Sequence, residues 1–517
     1  MSITLRSSLH RLMQLTQPES FAMPISDRRD FLYGMSNAVA LAAFGKNVMP
    51  RSARRKNVLF LAVDDLRASL GCFGDRYAIT PNIDALARQG TLFRHAYCQQ
   101  AVCNPSRQSL MTGCRPDTIR VWDMKTHFRH TSPGVVSVAE HFRNHGYFAQ
   151  SFGKIFHGEA PMADPQSWSV PEQFQYTPKS DDYQLAKNHV HRPAGKGESD
   201  EFVEASDDAY PDGKVAAGAV AALQRFSRAG HQPFFLAVGM RKPHLPFTAP
   251  LRYWKMFDGR PVPPIARLDP PAGAPSVALH NSVELRGYLG IPPDGPIPPA
   301  MAERLRRGYY ASLTYTDAQF GRVLRALRET GLDKDTVIVL WVDHGYHLGE
   351  HGLWCKTTNY ELDTRVPLIV VDPSRSRRGQ VCEATVELLD LFPTLCDLCE
   401  LPPARGLEGR SLVPYLANPR RVSLKPALSQ FPRPWFYHGS PEVMGYSVRT
   451  DTHRYIEWRN FASGSVTDRE LYDMRRDEPI EDVNLAGQSE SQKLIEYMSS
   501  LLPKPMQRQA SSAASGS

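Results

Sequence analysis

The sequence predicts an α/β fold: a mainly parallel sheet flanked by helices, followed by a smaller α+β unit with an antiparallel sheet. Three observations carry this. Apolar runs of strand length, Asn57-Val-Leu-Phe-Leu-Ala-Val63, Pro233-Phe-Phe-Leu-Ala-Val-Gly239 and Thr336-Val-Ile-Val-Leu-Trp-Val342, lack the alternation of a half-exposed strand. They suit a sheet covered on both faces. Helical patterns lie between them, as crossover connections require. Near Pro419-Arg-Arg421 the composition shifts, and hairpin patterns follow.

Taken in order, residues 1–56 read as a leader. Asp27-Arg28-Arg29-Asp30-Phe31-Leu32 resembles a twin-arginine export signal, a weakly apolar stretch spans 34–44, and a basic patch spans 51–56. The expectation is export to the periplasm by that route. The run 57–63 ends in Asp64-Asp65, at the carboxyl end of a strand, where open α/β sheets place ligands. Residues 80–90 read as a helix ended by glycine, and 103–110 as a second helix. Proline crowds residues 261–299, an irregular excursion, and 304–329 is a long amphipathic helix. The strand 336–342 again ends in acid, Asp343-His344-Gly345. The apolar run 386–399 reads as a helix. Beyond 420, residues 443–450 and 454–458 read as a hairpin, 470–473 as a further strand and 490–502 as a closing helix. The expected division is therefore a catalytic unit over 57–420, a C-terminal α+β subdomain over 421–503 and a disordered tail over 504–517.

Composition narrows the function. Lys and Arg exceed Asp and Glu by 61 to 54, a net charge of +7, which suits an anionic substrate without singling out nucleic acid. No RNP, zinc-finger or helix-turn-helix pattern supports a nucleic-acid partner. No apolar stretch is long enough for a membrane span. Eight cysteines in 517 residues are sparse for a disulfide scaffold. Cys396 and Cys399 form a CxxC inside an apolar run, without the second pair or thioredoxin-like context that redox or zinc chemistry needs.

Four features carry chemistry. Adjacent buried carboxylates such as Asp64 and Asp65 repel and need a cation or protons. Cys103-Asn104-Pro105-Ser106-Arg107 opens a helix, whose N-terminus favours an anion. Asp343-His344-Gly345 follows another strand, with Gly349-Glu350-His351-Gly352 and Lys356 beyond it. Basic residues follow further strands: Lys154 and His157 in Gly153-Lys-Ile-Phe-His157, and Lys242 with His244.

Cys103-x-Pro-Ser-Arg107 with Thr112-Gly113 is the pattern read by enzymes that oxidise a cysteine to formylglycine. With Asn57-Val-Leu-Phe-Leu-Ala-Val-Asp-Asp-Leu-Arg67, Thr112-Gly-Cys-Arg-Pro-Asp117, Lys242-Pro-His244, Asp343-His-Gly-Tyr-His-Leu-Gly-Glu-His-Gly352, Ser429-Gln-Phe-Pro-Arg-Pro434 and Met444-Gly-Tyr-Ser-Val-Arg-Thr450, it makes the chain resemble the type I sulfatases over about residues 55–503. Within them it is most similar to the iduronate-2-sulfatase branch. The resemblance implies an alkaline-phosphatase-like domain with a smaller antiparallel-sheet domain. It also implies one divalent cation, Ca2+ by the preference of a hard ion for oxygen, held by Asp64, Asp65, Asp343 and His344 with the Cys103-derived formylglycine near or on it. His344 stands where the wider family has Asn, and imidazole is a softer ligand. The implied reaction is hydrolysis of a sulfate ester by the hydrated aldehyde. Arg107, Lys154 and His157 would steady the diol. Lys154, His244 and Lys356 would bind sulfate, and His244 or Lys356 would protonate the leaving oxygen. The implied partners are a sulfated saccharide and a formylglycine-generating or anaerobic maturation enzyme. A uronate 2-sulfate calls for a basic rim, for which Lys356, Arg129, His130 and Lys125 are candidates. Thr357 and Thr358 follow Lys356 where the iduronate enzymes tend to carry an aromatic, which leaves the sugar open. Two alternatives stand: a phosphonate or phosphodiester hydrolase on the same scaffold, and a non-catalytic sulfated-glycan binder if Cys103 is unmodified.

Overall fold

Seven strands build the principal sheet in the order Gln380–Glu387, Thr91–Tyr97, Arg365–Val371, Thr336–Val342, Asn57–Val63, Phe234–Met240, Phe148–Gly153. The computed structural model describes residues 55–504 apart from 159–160, 175–181, 190–195, 231, 376–377, 424, 438 and 476–479. The leader signal and nearly all of the expected tail lie outside the described residues. The central strand Asn57–Val63 pairs in parallel with both neighbours, Leu61 standing opposite Val238 and Leu340. Only Arg365–Val371 runs against its neighbours. Every residue of the three central strands is buried, which is why their sequences show no alternation. Phe60 sits between Phe235 and Trp341, with ring centroids 5.5 and 5.3 Å away.

Helices cover the sheet. The longest, Pro299–Glu329, begins five residues before the expected start, on a proline at its first turn. It packs against Pro211–Ala229. The proline-rich segment is irregular, with only short helical turns at Ser276–Ala278 and Val283–Arg286. One expectation fails. The run 386–399 is not all helix: Val386 and Glu387 end the strand Gln380–Glu387, which pairs in parallel with Thr91–Tyr97. Glu387 and Asp390 then form a capping box that turns the chain, and the helix spans Leu391–Leu398. Cys396 and Cys399 are buried there as free thiols.

A second, four-stranded antiparallel sheet follows the chain in order: Ala427–Arg433, Val443–Arg449, His453–Asn460 and Val466–Asp473. Its first strand contains Ser429-Gln-Phe-Pro, which carried no strand signal. Helix Gln492–Ser500 lays Ile495 and Met498 against Met444, Val448, Tyr455 and Leu471. Among the described residues no helix is long and apolar enough to cross a membrane.

Candidate active site

The carboxyl ends of four neighbouring strands deliver the expected residues to one place. Asn57–Val63 is followed by Asp64 and Asp65, Thr336–Val342 by Asp343 and His344, Phe148–Gly153 by Lys154, and Phe234–Met240 by Lys242 and His244. Close backbone packing sets Lys154 in position. A Cβ on Gly239 would lie 2.0 Å from Lys154 O, and one on Gly153, at φ +71°, would lie 2.2 Å from Gly239 O. Only glycine fits either place. Helix Cys103–Thr112, buried along its whole length, presents its first residue to these ends, and Gly113 at φ 68° terminates it. Ser106 Oγ pins the helix by donating to Asp343 O at 2.5 Å.

Asp65 adopts φ 59°, which a non-glycine residue seldom does. Its N–H donates to Asp343 Oδ1 (3.3 Å) and its carbonyl accepts from Tyr309 O–H (2.9 Å). The turn brings two consecutive carboxylates into one cluster. Cys103 Sγ lies 3.4 Å from Asp64 Oδ1 and 3.3 Å from His344 Nε2. His344 Nε2 lies 3.4 Å from Asp65 Oδ1 and 3.5 Å from Asp343 Oδ2. His344 Nδ1 faces Gly345 O at 3.0 Å, so a neutral ring keeps its proton there and turns the Nε2 lone pair on the acids. Burial, reinforced by Asp64, Glu284 and Asp343, pushes the Asp65 carboxyl well above the ordinary range although Lys356 opposes it. Burial also acts to raise Asp64, but Lys154 and Arg107 outweigh it and hold that carboxyl well below. Ligand atoms of Asp64, Asp65, Cys103 and His344 all lie within 4.8 Å of one another. Acids and an imidazole lone pair converging without enough protons are a donor set for a divalent cation.

The basic residues take distinct places. Arg107 donates from Nε to Asp343 Oδ2 (2.8 Å), from Nη2 to Asp64 Oδ1 (3.2 Å) and from Nη1 to Lys154 O (2.6 Å). Lys154 Nζ donates to Asp64 Oδ2 at 2.5 Å. His157 is held well below its ordinary pKa, first by burial and then by Lys154, and its Nδ1 has no partner among the described residues. Lys356 Nζ donates to both Asp65 oxygens (3.0 and 2.8 Å). It is flanked by Cys355 at φ 72° and Thr357 at φ 90°. For a β-branched residue that is an outlier. Arg433, from the second sheet, ties it down by donating Nη2 to Thr357 O at 2.9 Å. His244 Nε2 lies 3.9 Å from Asp65 Oδ2. Lys242 is not part of the cluster: its Nζ donates to Pro246 O (2.6 Å) and His244 O (3.2 Å), bracing the turn that carries His244.

A cavity of about 390 Å³ opens over Cys103, His244 and Lys356, with Trp354, Trp435 and Phe436 among its lining residues. Of the expected basic rim only Lys356 lines it. Arg129 is instead tied to Glu140 and Asp164. Sequence reasoning missed Arg433, the aromatic pair Trp435-Phe436 and, above all, Glu284, which lines the cavity beside Lys356. Adjacent aromatics after Arg433-Pro434 were a readable signal for a cavity-lining loop. A single acid in a proline-rich segment was not.

The Sulfatase family matches residues 56–401, and the family described as N-sulphoglucosamine sulphohydrolase, C-terminal, matches residues 349–508. Iduronate 2-sulfatase of Homo sapiens is 33% identical, covering 86% of this chain and 93% of its own. A solved structure of a protein in complex with its substrate D-glucosamine-2-N,6-O-disulfate superposes with a TM-score of 0.68 at 21% identity, covering 87% of this chain and 97% of its own. The phosphonate monoester hydrolase of Silicibacter pomeroyi does so with a TM-score of 0.67 at 24% identity, covering 86% and 94%. These likenesses establish the alkaline-phosphatase-like fold with its C-terminal antiparallel-sheet domain.

Proposed function

Since this chain belongs to the sulfatase family and is a sulfuric ester hydrolase, we propose that it removes the 2-O-sulfate of a uronic acid in glycosaminoglycan or related saccharides, using a formylglycine made from Cys103 beside a divalent cation. The observation that carries the reading is the contact of Cys103 Sγ with Asp64 and His344 inside a ring of buried acids. Asp64, Asp65, Asp343 and His344 would hold the cation, and three carboxylates favour Ca2+. When bound, it supplies positive charge that eases ionisation of the attacking hydroxyl and neutralises sulfate. The aldehyde, made by a formylglycine-generating or anaerobic maturation enzyme, supplies that hydroxyl in its hydrated form. Burial pushes the unmodified Cys103 thiol well above its ordinary pKa, so this cysteine is poorly suited to act as a thiolate.

The remaining roles follow from position. Arg107 bridges Asp64 and Asp343 and fixes both acids against the helix that carries residue 103. Lys154 holds Asp64 ionised, and His157, kept neutral by burial and by Lys154, would help orient the hydrated aldehyde. His244 and Lys356 face the cavity and would take the ester oxygens. With Nδ1 turned to Leu245 O at 2.5 Å and burial holding its pKa well below the ordinary value, a neutral His244 presents an Nε2 lone pair to the cavity. It would give a proton to the leaving sugar oxygen only as imidazolium, and the Lys356 ammonium is the other donor at that place. Trp354 and Trp435 offer flat apolar faces for the sugar ring. Uronate specificity leans on the 33% identity to iduronate 2-sulfatase. Residues 57–420 form the catalytic unit in this reading and 421–503 a subdomain that braces Lys356 through Arg433. The leader 1–56 directs export to the periplasm, which a reporter fused to residues 23–60 tests: it should leave the cytoplasm only where the twin-arginine pathway works.

The decisive experiment pairs peptide mass measurement with substrate profiling of the matured protein. The peptide containing residue 103 should carry an aldehyde in place of the thiol. Uronate-2-sulfate disaccharides should be turned over in preference to hexosamine 6-sulfates and to aryl phosphate diesters. An intact thiol in fully active protein would remove the formylglycine reading, and a preference for phosphate diesters would favour the phosphonate-hydrolase alternative.

A further inference from the structure

The cavity contains an anion of its own. Glu284, on the short helix Val283–Arg286, places Oε1 2.9 Å from Lys356 Nζ and 3.3 Å from His244 Nε2, with Oε2 also 2.9 Å from Lys356 Nζ. An ammonium has three donors, and those of Lys356 are divided between Asp65 and Glu284. The two side chains that the sulfatase reading assigns to the ester head are thus both turned onto a carboxylate of the same chain. That carboxylate is held there by its surroundings. Ser282, at φ 58°, accepts from Trp354 N–H at its Oγ (3.0 Å) and donates its own N–H to His280 Nδ1 (2.9 Å). Lys196 Nζ donates to Glu284 O, and Arg286 gathers the loop by donating to Asn281 O (2.6 Å) and Pro292 O (2.7 Å).

Glu284 sets the charge at the ester head locally. At Lys356 Nζ it is a second carboxylate beside Asp65, while Lys196, which also lines the cavity, is turned onto the backbone oxygen of Glu284. An incoming anion must displace or face that carboxylate, and a doubly charged oxyanion is repelled by it about twice as strongly as a singly charged one.

We infer that Glu284 is a charge-selecting residue: an internal counter-anion, displaced from Lys356 by the singly charged sulfate head of an incoming ester, that disfavours doubly charged heads such as inorganic sulfate and phosphate at that place. This rests on the sulfatase reading for the identity of the anion. It makes Glu284 a determinant of product release and of discrimination against phosphate monoesters, which carry close to two charges at neutral pH.

The test uses matured, cation-loaded protein and two probes, inorganic sulfate and inorganic phosphate. Each is measured by calorimetry and as a competitive inhibitor of an aryl sulfate. Glu284→Gln should bind both dianions about tenfold more tightly, with a smaller fall in KM for the ester, as expected for removing one like charge at contact distance. Glu284→Asp, which keeps the charge, should stay near the wild type in its ratio of dianion to ester affinity. Glu284→Ala removes the same charge without the amide, so failure of one variant to fold does not decide the matter. Unchanged or weaker dianion binding in both neutral variants would overturn the inference. Calorimetry needs no turnover. A wild-type protein that binds sulfate yet splits no sulfate ester would therefore remove the functional reading while the Glu284 comparison still stood.

Discussion

Two clusters of buried charge, one around Cys103 and one where the second sheet meets the first, are equally dry but balanced in opposite ways. In the second cluster Glu361 accepts from Arg454 Nη2 at 2.5 Å, Arg449 Nε at 3.1 Å and Tyr97 O–H at 2.9 Å. Glu481 Oε1 lies 2.9 Å from Arg454 Nε and accepts from Glu361 N–H at 2.9 Å. Each acid there faces a guanidinium, and the arginines hold Glu361 far below the usual carboxylate range against the opposing effect of burial. Around Cys103 the acids have cationic partners too, Arg107 for Asp64 and Asp343, Lys154 for Asp64 and Lys356 for Asp65 and Glu284. But these four carboxylates share three cations and also face one another and a histidine lone pair. A cluster that closes on itself is structural. A cluster that is left short of positive charge is built to receive it.

The comparison breaks most sharply at Cys103. Cys103→Ala should lower turnover of sulfate esters by about 10⁴-fold or more, since a nucleophile's removal is not shared out among its neighbours. Thermal unfolding should stay close to wild type, because the side chain lost is small and its polar contacts, to Asp64 and His344, are the weak ones of a thiol. The mirror experiment is Arg454→Met. It strands Glu361 and Glu481, and unfolding by denaturant should show a loss of about 3–5 kcal/mol, while turnover per folded molecule stays near wild type. A large loss of turnover from Arg454→Met without loss of stability would mean that the second cluster is functional after all.

A smaller effect sharpens the same contrast. Burial raises the Glu481 carboxyl from 4.5 to about 7, despite Arg454. Its ionised form is therefore costly in the folded protein. The cost is absent below the ordinary carboxylate pKa, grows as pH rises from 4.5 and is complete above 7, amounting to about 3 kcal/mol over that window. Glu481→Gln should flatten the fall in stability between pH 5 and 8 relative to wild type, read by denaturant midpoints at each pH. An unchanged slope would show that another group carries it.

What the sequence made legible follows from the same physics. Asp64-Asp65, Asp343-His344 and Cys103-x-Pro-Ser-Arg107 could be read because their chemistry forces neighbouring residues into unusual pairings at the ends of apolar runs. The strands Asn57–Val63 and Thr336–Val342 were plain for a related reason: full burial on both faces leaves no room for polar residues. Glu284 was hidden because its partners, Lys356 and His244, are brought to it only by the fold. Glu361 and Arg454 were hidden likewise, 93 residues apart with no local pattern to link them. Val386 and Glu387 were misassigned because an apolar run does not distinguish a buried strand from a buried helix, and pairing with Thr91–Tyr97 decides it.

The gentlest perturbation is removal of the cation itself. Chelation should lower the denaturant midpoint by an amount that returns on adding Ca2+, about 2.7 kcal/mol at a hundredfold excess over Kd, and Asp65→Asn should abolish the response. The pH dependence gives the sharper test. With the Asp65 carboxyl raised by burial and by its acidic neighbours, its ionisation in cation-free protein costs stability. That cost is absent below the ordinary carboxylate pKa and grows as pH rises toward the raised value. A bound cation cancels it, so the gap between chelated and Ca2+-loaded protein should widen with pH. The Arg454 cluster, already paired, should contribute nothing to that widening, and an Arg454→Met protein should show the same gap as wild type. A gap that narrows with rising pH would mean that the cation binds elsewhere, and that Asp64, Asp65, Asp343 and His344 resolve their repulsion by holding protons.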